Sequence, residues 1–403
     1  MTSFDPSALL TARTRTADEG AIIRMAQKSR DLRAKGMDVV SLTVGEPDFD
    51  TPDHIQQEAT AAMKAGFTHY SPVQGIPELR AALSRKLKAE NNLDYAAAEI
   101  SVTNGAKQAI ANAVLSLIDQ GDEVIMLAPF WVSYEITVRF AGGTPVVLAA
   151  TVDEDYKVPA GRIAAAITPR TKLLILNSPS NPTGAVWSAN ELEAIAEIVR
   201  LHPRMMVLSD EIYEYIMFDG RMASIGALPG MRERTITVNG FSKGFAMTGW
   251  RLGFAAAVEP VTRAMVRMQG TITTGANQFV QRAAIAALEG PREEVERMRL
   301  RYRARRDMVL AGLRAIEGVR IGSIPATFYA FPDVSALLGR KAGNHVMDTT
   351  DRLCDWLLEE HGVAVVPGTA FGAPGSIRLS FAASEADIQK ALDRMSSALK
   401  SLA

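Results

Sequence analysis

The run Met205-Met-Val-Leu-Ser-Asp-Glu-Ile-Tyr213 indicates the fold class, because continuous apolar character ends in an acid within the length of one short strand. Four to six apolar residues without polar alternation are typical of a strand that is buried on both faces of a parallel sheet. The carboxyl ends of such strands open onto the crevice where α/β proteins bind their ligands. The run therefore predicts a buried parallel strand that ends in Asp210 at a functional edge.

The same pattern recurs along the chain on both sides of this run. Comparable apolar runs, each predicted to be a strand, occupy residues 123–127, 172–177, 234–239 and 252–258. Helical periodicity lies between the strands, over residues 76–90, 106–118 and 190–201. Glycine, proline and aspartate cluster at the joints. This alternation predicts an α/β fold with a mostly parallel sheet between helices.

The carboxyl-terminal part of the chain is organised differently. A long charged helix is predicted over residues 291–316. It is followed by short strands at 328–332, 363–367 and 377–381 and by helices at 351–361 and 385–402. We therefore predict a large domain over residues 45–290 and a smaller α+β domain over residues 291–403. Residues 1–44 are expected to pack against the smaller domain or against a second subunit.

Composition narrows the classes of function. The chain has 403 residues, of which 47% are hydrophobic and 22% charged, and its formal net charge of −1 argues against a surface for nucleic acid or anionic membranes. The single cysteine, Cys354, excludes an internal disulfide and a cysteine-based metal site. No apolar stretch reaches the roughly 18–20 residues of a membrane span. We expect a cytoplasmic protein without a metal centre, and neither nucleic acid nor membrane as a partner.

Two further strand ends carry polar residues suited to one site. The run Thr235-Ile-Thr-Val-Asn-Gly-Phe-Ser-Lys243 ends in a lysine, and a third strand leads into a rigid turn that contains Asn181. A lysine becomes a nucleophile when desolvation or nearby cations lower its pKa, and it then condenses with an aldehyde. An aldehyde cofactor that serves as an electron sink also needs an acid beside its ring nitrogen, which Asp210 supplies. These strand ends therefore indicate Schiff-base chemistry.

A phosphate group on such a cofactor needs an anion site. Residues 104–107, Asn-Gly-Ala-Lys, open a helix directly after the predicted strand 100–103. Free N–H groups at a helix start bind anions. Arg251, eight residues after Lys243, can add a bidentate contact.

Each of these residues also has a structural interpretation when it is taken alone. Asp210 could cap a helix, Lys243 could be a solvated turn residue, and Asn181 could precede a proline in a turn. An acid, an amine and a carboxamide at three neighbouring strand ends together favour the functional interpretation.

Seven segments in sequence order carry a resemblance to a known family. They are Gly45-Glu-Pro-Asp-Phe-Asp-Thr-Pro52, His69-Tyr-Ser-Pro-Val-Gln-Gly-Ile-Pro-Glu-Leu-Arg80, Pro129-Phe-Trp-Val-Ser-Tyr134, Asn181-Pro-Thr-Gly184, Ser209-Asp-Glu-Ile-Tyr213, Ser242-Lys243 with Met247-Thr-Gly-Trp-Arg251, and Ile377-Arg-Leu-Ser380. They resemble the class I/II aminotransferases, pyridoxal-phosphate (PLP) enzymes of fold type I. Among these, the bacterial aspartate/prephenate aminotransferase branch is the most similar.

The resemblance implies a role for each matching residue. Lys243 would carry PLP as a Schiff base and move the substrate Cα proton, and Asp210 would pair with the ring nitrogen. Tyr213, the third residue of the catalytic set, would bind the ring 3′ oxygen together with Asn181. Trp131 would stack on the ring and face the substrate.

The resemblance also implies how the phosphate and the substrate are held. The phosphate would be bound by Gly105, Ala106, Ser242, Arg251 and, from a neighbouring subunit, Tyr70. Arg378 would bind the substrate α-carboxylate with its planar fork, and the backbone of Gly45 and the side chain of Asn181 would approach the same group. Because Tyr70 acts across an interface in this family, a homodimer is implied.

The substrate is less well specified. Lys107 matches a lysine that faces the distal carboxylate of acidic substrates in this branch. An ammonium there could favour aspartate, glutamate or oxaloacetate, or the second carboxylate of prephenate; a helix-surface lysine is the alternative. Two departures from the branch, Glu-Gly-Ala-Ile at residues 19–22 and Ala-Thr-Phe-Tyr at 326–329, could reshape the side-chain pocket for an apolar, aromatic or unusual amino donor.

We expect ping-pong transamination between an amino acid and a 2-oxo acid. A PLP lyase or oxidase on the same fold could use the same residues. A PLP-sensing regulator would need a DNA-binding module, for which we expect no room before residue 44. A non-catalytic binding protein would not need both Lys243 and Asp210.

Overall fold

A seven-stranded sheet forms the centre of the protein, for which a computed structural model describes residues 5–11, 14, 20–343 and 345–403. The strands of these residues are β1 (Val40–Ser41), β2 (Ile100–Thr103), β3 (Glu123–Ala128), β4 (Thr144–Ala149), β5 (Thr171–Asn177), β6 (Met206–Asp210), β7 (Thr235–Gly240), β8 (Gly253–Ala256), β9 (Tyr329–Ala330), β10 (Lys341–Ala342), β11 (His345–Val346), β12 (Val363–Ala364), β13 (Val366–Pro367) and β14 (Ile377–Ser380).

Helices cover both faces of this sheet and build the rest of the fold. They are α1 (Ala21–Ala34), α2 (Asp53–Lys64), α3 (Pro77–Asn91), α4 (Ala106–Leu117), α5 (Ser133–Phe140), α6 (Ala160–Ala165), α7 (Ala189–Leu201), α8 (Glu259–Ile272), α9 (Gln278–Glu289), α10 (Glu293–Arg314), α11 (Thr350–His361) and α12 (Glu385–Lys400). Short 3₁₀ turns lie at Pro6–Leu9, Ala97–Glu99, Val152–Glu154, Ile225–Ala227, Arg232–Arg234, Ser335–Leu337 and Gly368–Phe371.

The central sheet has the spatial order β2-β8-β7-β6-β5-β3-β4. Strands β3 to β7 pair in parallel, so the predicted α/β fold with a mostly parallel sheet is confirmed. Strand β8 is antiparallel to both of its neighbours, β7 and β2. The expectation that residues 252–258 form one more parallel strand is therefore wrong. The physical reason is the connection 241–252, which contains no crossover helix, so the chain returns beside β7 in the opposite direction.

Alternate residues of each central strand pack against different helix layers. On β5, Leu173 and Ile175 belong to a core that includes residues of α4, α5 and α8, whereas Leu174 and Leu176 belong to a core with residues of α6 and α7. Both faces of the strand are therefore buried. This double burial is why the sequence shows unbroken apolar runs here and no alternation of polar and apolar residues.

A second unit forms around α10, α11 and α12. Strands β13, β14 and β9 make an antiparallel sheet, and β12 pairs in parallel with β1. The predicted strand 363–367 is thus divided between two sheets. The segment before residue 45 adds to the core of this unit, because Val40 pairs with Val363 and Leu42 packs in the same cluster as Leu353.

The chain direction brings several loops to one edge of the central sheet. Because β2 is antiparallel to β8, and β8 to β7, β2 runs in the same direction as the five parallel strands. The residues after β2, β3, β5, β6 and β7 and those just before β8 therefore meet at a single edge. No helix within the described ranges is long and apolar enough to cross a bilayer.

Gly253 allows β8 to approach the start of α4 closely. A Cβ atom at this position would overlap the backbone nitrogen of Ala106. We expect Gly253→Ala to lower the free energy of unfolding by about 1–3 kcal/mol, because neither backbone can move without breaking the sheet. Urea unfolding measures this change. The matched control is Gly249→Ala, where a Cβ meets no atom within 4 Å; equal stability of the two variants would contradict the argument.

Candidate active site

A cavity of about 250 Å³ lies at the carboxyl-terminal edge of the central sheet. The predicted site residues that line it are Gly45, Ala106, Lys107, Trp131, Asn181, Asp210, Tyr213, Ser242, Lys243, Arg251 and Arg378. Within the described part of the chain, no three His, Cys, Asp or Glu side chains group as potential metal ligands. The ionisable side chains that line the cavity include amines, guanidinium groups, a carboxyl and phenols.

Lys243 follows β7 and is the amine of the cavity. Its Nζ donates a hydrogen bond of 2.5 Å to the carbonyl oxygen of Gly45. Burial lowers the pKa of Lys243 to about 8, and the positive charges of Arg378 and Arg251 act in the same direction, while Glu46 and Asp210 oppose them. A substantial fraction of the amine is therefore neutral near pH 8, which is the form that attacks a carbonyl carbon.

Asp210 is the last residue of β6, and 4% of it is exposed. Its Oδ2 accepts a hydrogen bond of 2.6 Å from the hydroxyl of Tyr134, and its Oδ1 accepts a longer one, 3.3 Å, from the backbone N–H of Ile212. Burial raises the pKa of Asp210 to about 6, against the effect of these two donors and of Lys243. A further cationic N–H donor in the cavity would stabilise the ionised carboxyl.

The amino terminus of α4 forms a cradle suited to an anion. Gly105 precedes this helix with a φ of 86°, and a Cβ atom there would lie 2.5 Å from Nη2 of Arg251. Arg251 Nη1 donates to the carbonyl oxygen of Thr248 at 2.7 Å. Among the described residues, no carboxylate forms an ion pair with Arg251. Free N–H groups, a helix dipole and a guanidinium therefore converge where a phosphate could be bound.

Arg378, on β14, is a buried cation, with only 1% of it exposed. Its Nη1 donates to Oδ1 of Asn181 at 3.1 Å and its Nη2 to the carbonyl oxygen of Thr43 at 2.6 Å, while its Nε has no partner. The guanidinium lies 4.6 Å from the ring centroid of Tyr329 and 5.0 Å from that of Phe371. No described carboxylate forms an ion pair with Arg378. A carboxylate ligand would therefore offset the free-energy cost of burying this guanidinium.

Lys107 lies in the first turn of α4, with Nζ 4.9 Å from the ring centroid of Trp131. Burial and the nearby positive charge of Arg251 lower its pKa. Ile22, from the first turn of α1, lines the same cavity. An ammonium, an indole face and an aliphatic side chain are therefore all available to a substrate side chain. Glu19, which begins the segment 19–22 noted above, is outside the described residues.

Two predicted residues do not line the cavity. Gly105 lies behind it, in contact with Arg251 as described. Tyr70 is 90% exposed and borders a separate surface pocket that includes Asn104.

Sequence reasoning missed the roles of two tyrosines. Tyr134 bonds Asp210, and Tyr329 has its hydroxyl 3.0 Å from that of Tyr213. A signal existed for Tyr134, because it ends the motif Pro129–Tyr134, which also contains Trp131. Residues 326–329 were expected to affect the pocket, but no local signal predicts that the hydroxyl of Tyr329 lies next to that of Tyr213.

These features place a desolvated amine, a buried acid and an anion cradle at one sheet edge, which is where α/β enzymes bind their ligands. Comparison with known proteins identifies the family. The family model described as Aminotransferase class I and II matches residues 37–395. The chain belongs to the class I and II aminotransferases.

Individual relatives agree over nearly the whole chain. An aspartate/prephenate aminotransferase of Cereibacter sphaeroides is 43% identical over 376 residues, which cover 93% of this chain and 94% of that protein. The crystal structure of an aspartate aminotransferase from Rhizobium meliloti matches with a TM-score of 0.95 at 38% identity and covers 100% of both chains. The aspartate aminotransferase from Thermus thermophilus with maleate matches with a TM-score of 0.91 at 43% identity, over 96% of this chain and 99% of that one.

The lowered pKa of Lys243 predicts a distinctive reactivity in the protein without cofactor. We expect the rate of acylation at this residue to rise with pH and reach half its maximum near pH 8, because only the neutral amine reacts. Mass spectrometry of peptides after brief labelling at a series of pH values measures it. A midpoint near the ordinary lysine value of about 10.4 would show that the amine is not desolvated.

Proposed function

We propose that the protein is a PLP-dependent aminotransferase that moves an amino group between a dicarboxylic amino acid, aspartate or glutamate, and a 2-oxo acid by a ping-pong mechanism. The observation that carries this proposal is the presence of Lys243 and Asp210 on one cavity, each shifted by burial toward its neutral form. Membership of the family supports it.

The residues of the cavity fit PLP in three respects. Lys243 offers an amine for its aldehyde, and Asp210 offers an acceptor for its ring N–H. The cradle formed by Gly105 and Ala106, together with Ser242 and Arg251, offers donors for its phosphate. When bound, PLP supplies a conjugated ring that accepts the electron pair left by the broken Cα–H bond.

Three side chains of the protein would bind the substrate, transfer the proton and maintain the charge of the cofactor ring. Arg378 binds the substrate α-carboxylate through donors that have no carboxylate partner in the protein. The neutral amine of Lys243 would accept the proton from the substrate Cα and would deliver it to the former aldehyde carbon of the cofactor. Asp210 would hold a proton on the ring nitrogen, and a protonated ring is the stronger electron acceptor.

Three further residues orient the cofactor in this proposal. Trp131 would offer its indole face to the ring, and Asn181 and Tyr213 would be hydrogen-bond donors for the 3′ oxygen; all three line the cavity. Tyr213 already contacts the hydroxyl of Tyr329, so this phenol network can hold a proton next to the oxygen.

Lys107 is the proposed selector of the second carboxylate. Its ammonium is partly desolvated and stacked against Trp131, and no described carboxylate forms an ion pair with it. The Thermus thermophilus relative was solved with maleate, a four-carbon dicarboxylate. The name of the Cereibacter sphaeroides relative adds prephenate, which also carries two carboxylates. Both observations favour dicarboxylic substrates.

An aromatic or apolar amino donor is the second candidate. Ile22 and the ring of Trp131 line the same cavity as Lys107, and they favour an apolar side chain. A lyase or oxidase reaction would use the same Lys243 and Asp210. The experiment below separates these reactions.

A homodimer completes the proposal. Tyr70 is 90% exposed beside Asn104, which directly precedes the anion cradle. A second copy that covered this tyrosine would bury a large aromatic surface, and the phenol could donate to the phosphate of the neighbouring subunit.

The reaction type is tested by incubating the PLP-loaded protein with aspartate alone. We expect one equivalent of oxaloacetate and one of pyridoxamine phosphate per site and then a halt, because the amino group has no acceptor. Chromatography of both products measures this. Continued product formation without an oxo acid would identify a lyase or oxidase instead. Lys243→Ala serves as the control and should form neither product.

The role of Lys107 is tested by Lys107→Met. We expect kcat/KM for aspartate to fall about 10–100-fold, because the distal carboxylate loses a cationic partner in a partly desolvated place, with less than threefold change for alanine. Steady-state kinetics with both donors measures the ratio. Lys88→Met, at a side chain that is 69% exposed and outside the cavity, is the matched control. An equal loss for both donors would remove Lys107 from substrate selection.

A further inference from the structure

The nearest hydrogen-bond donor to the buried carboxyl of Asp210 is the phenol of Tyr134. Tyr134 is 1% exposed and lies in the first turn of α5, directly after the loop that contains Trp131. Its hydroxyl is 2.6 Å from Oδ2 of Asp210, and the competing donor, the N–H of Ile212, is 3.3 Å from Oδ1. The phenol is therefore the shorter and stronger of the two contacts.

The phenol of Tyr134 stays protonated and donates a hydrogen bond to the carboxylate of Asp210. Burial and the adjacent Asp210 raise the pKa of Tyr134 well above its ordinary value. The hydrogen bond from Tyr134 is the largest effect that opposes the rise of the Asp210 pKa caused by burial. A neutral donor beside an ionised acceptor forms a charge-assisted bond, which is stronger than one between neutral groups.

Packing fixes the position of the phenol independently of any ligand. The ring of Tyr134 meets that of Trp131 edge to face, with centroids 5.5 Å apart, and it belongs to the core between the sheet and α4. The carboxyl is fixed from the backbone side, because Asn177 Nδ2 donates to the carbonyl oxygen of Asp210 at 2.9 Å. Donor and acceptor are therefore both held by the rigid central sheet.

We propose that Tyr134 is a positioning residue of the transamination, an inference that rests on the proposed function. The hydroxyl of Tyr134 holds the Asp210 carboxylate ionised and oriented toward the ring nitrogen of the cofactor. The remaining titratable groups that face Asp210 are Lys243, after β7, and Tyr213, after β6. Neither is within hydrogen-bond distance of the carboxyl in the described structure. Tyr134 acts through Asp210 and does not itself touch substrate.

The test is Tyr134→Phe, which removes one oxygen and preserves the ring. We expect the dissociation constant for PLP, measured by equilibrium dialysis against the apoprotein, to rise about tenfold at pH 6.5. The ratio of variant to wild type should shrink as pH rises to 8.5, because without the phenol the Asp210 pKa rises above about 6 and a higher pH is needed to ionise it. We also expect kcat to fall about tenfold with less than a twofold change in KM.

Two comparisons isolate the mechanism. In an Asp210→Asn background, adding Tyr134→Phe should change PLP affinity less than twofold, since the acceptor is already gone. Tyr95→Phe is the matched control: Tyr95 is also 1% exposed, but its hydroxyl donates to backbone carbonyl oxygens of Arg232 and Thr235 outside the cavity. This control should alter unfolding without altering PLP affinity or kcat.

A second variant keeps the experiment decisive if Tyr134→Phe unfolds. Site-specific 3-fluorotyrosine at position 134 preserves the packing and makes the phenol a stronger donor. The dissociation constant for PLP at pH 6.5 should therefore fall below that of the wild type. Wild-type affinity and kcat in Tyr134→Phe, or a loss independent of pH and of Asp210, would overturn the proposal. Wild-type protein that neither binds PLP nor transaminates would instead refute the proposed function.

Discussion

Burial of an amine and a carboxyl in the same cavity is the constraint that organises this protein. In water both groups are charged at neutral pH, but desolvation moves the pKa of Lys243 down to about 8 and that of Asp210 up to about 6. The two shifts bring both groups within reach of physiological pH, where an amine can attack a carbonyl and a carboxyl can accept an N–H. The sheet edge keeps the two groups at fixed positions, so the charges are available to a ligand and do not simply neutralise each other.

The architecture supplies this constraint through strand direction. Strands β2, β3, β5, β6 and β7 all end at one edge, and each end adds a different chemical group to the cavity. The antiparallel strand β8 adds Arg251 from the opposite direction and, through Gly253, lies against the start of α4. The second unit adds Arg378, a cation that no described carboxylate balances. The fold thus maintains unsatisfied charge that a bound anionic ligand would satisfy.

Much of this arrangement was predictable from the sequence because it is local. Double burial of a parallel strand produces an unbroken apolar run, and the residue after the run marks the functional edge, as at Asp210, Lys243 and Asn181. Ordered motifs along the chain were sufficient to indicate the family, which the family model over residues 37–395 confirms. Glycine before α4 and the positive charge of Arg251 likewise follow from short segments of sequence.

Pairings between distant segments could not be predicted in the same way. The antiparallel direction of β8, the division of residues 363–367 between two sheets and the contact of Tyr329 with Tyr213 all depend on which strands meet in space. The pKa shifts belong to this group as well, since desolvation is a property of the assembled cavity. Residue type and order along the chain therefore specify the chemistry that is available. Its strength and direction arise from the three-dimensional packing, because an electrostatic environment is summed over neighbours that the sequence keeps far apart.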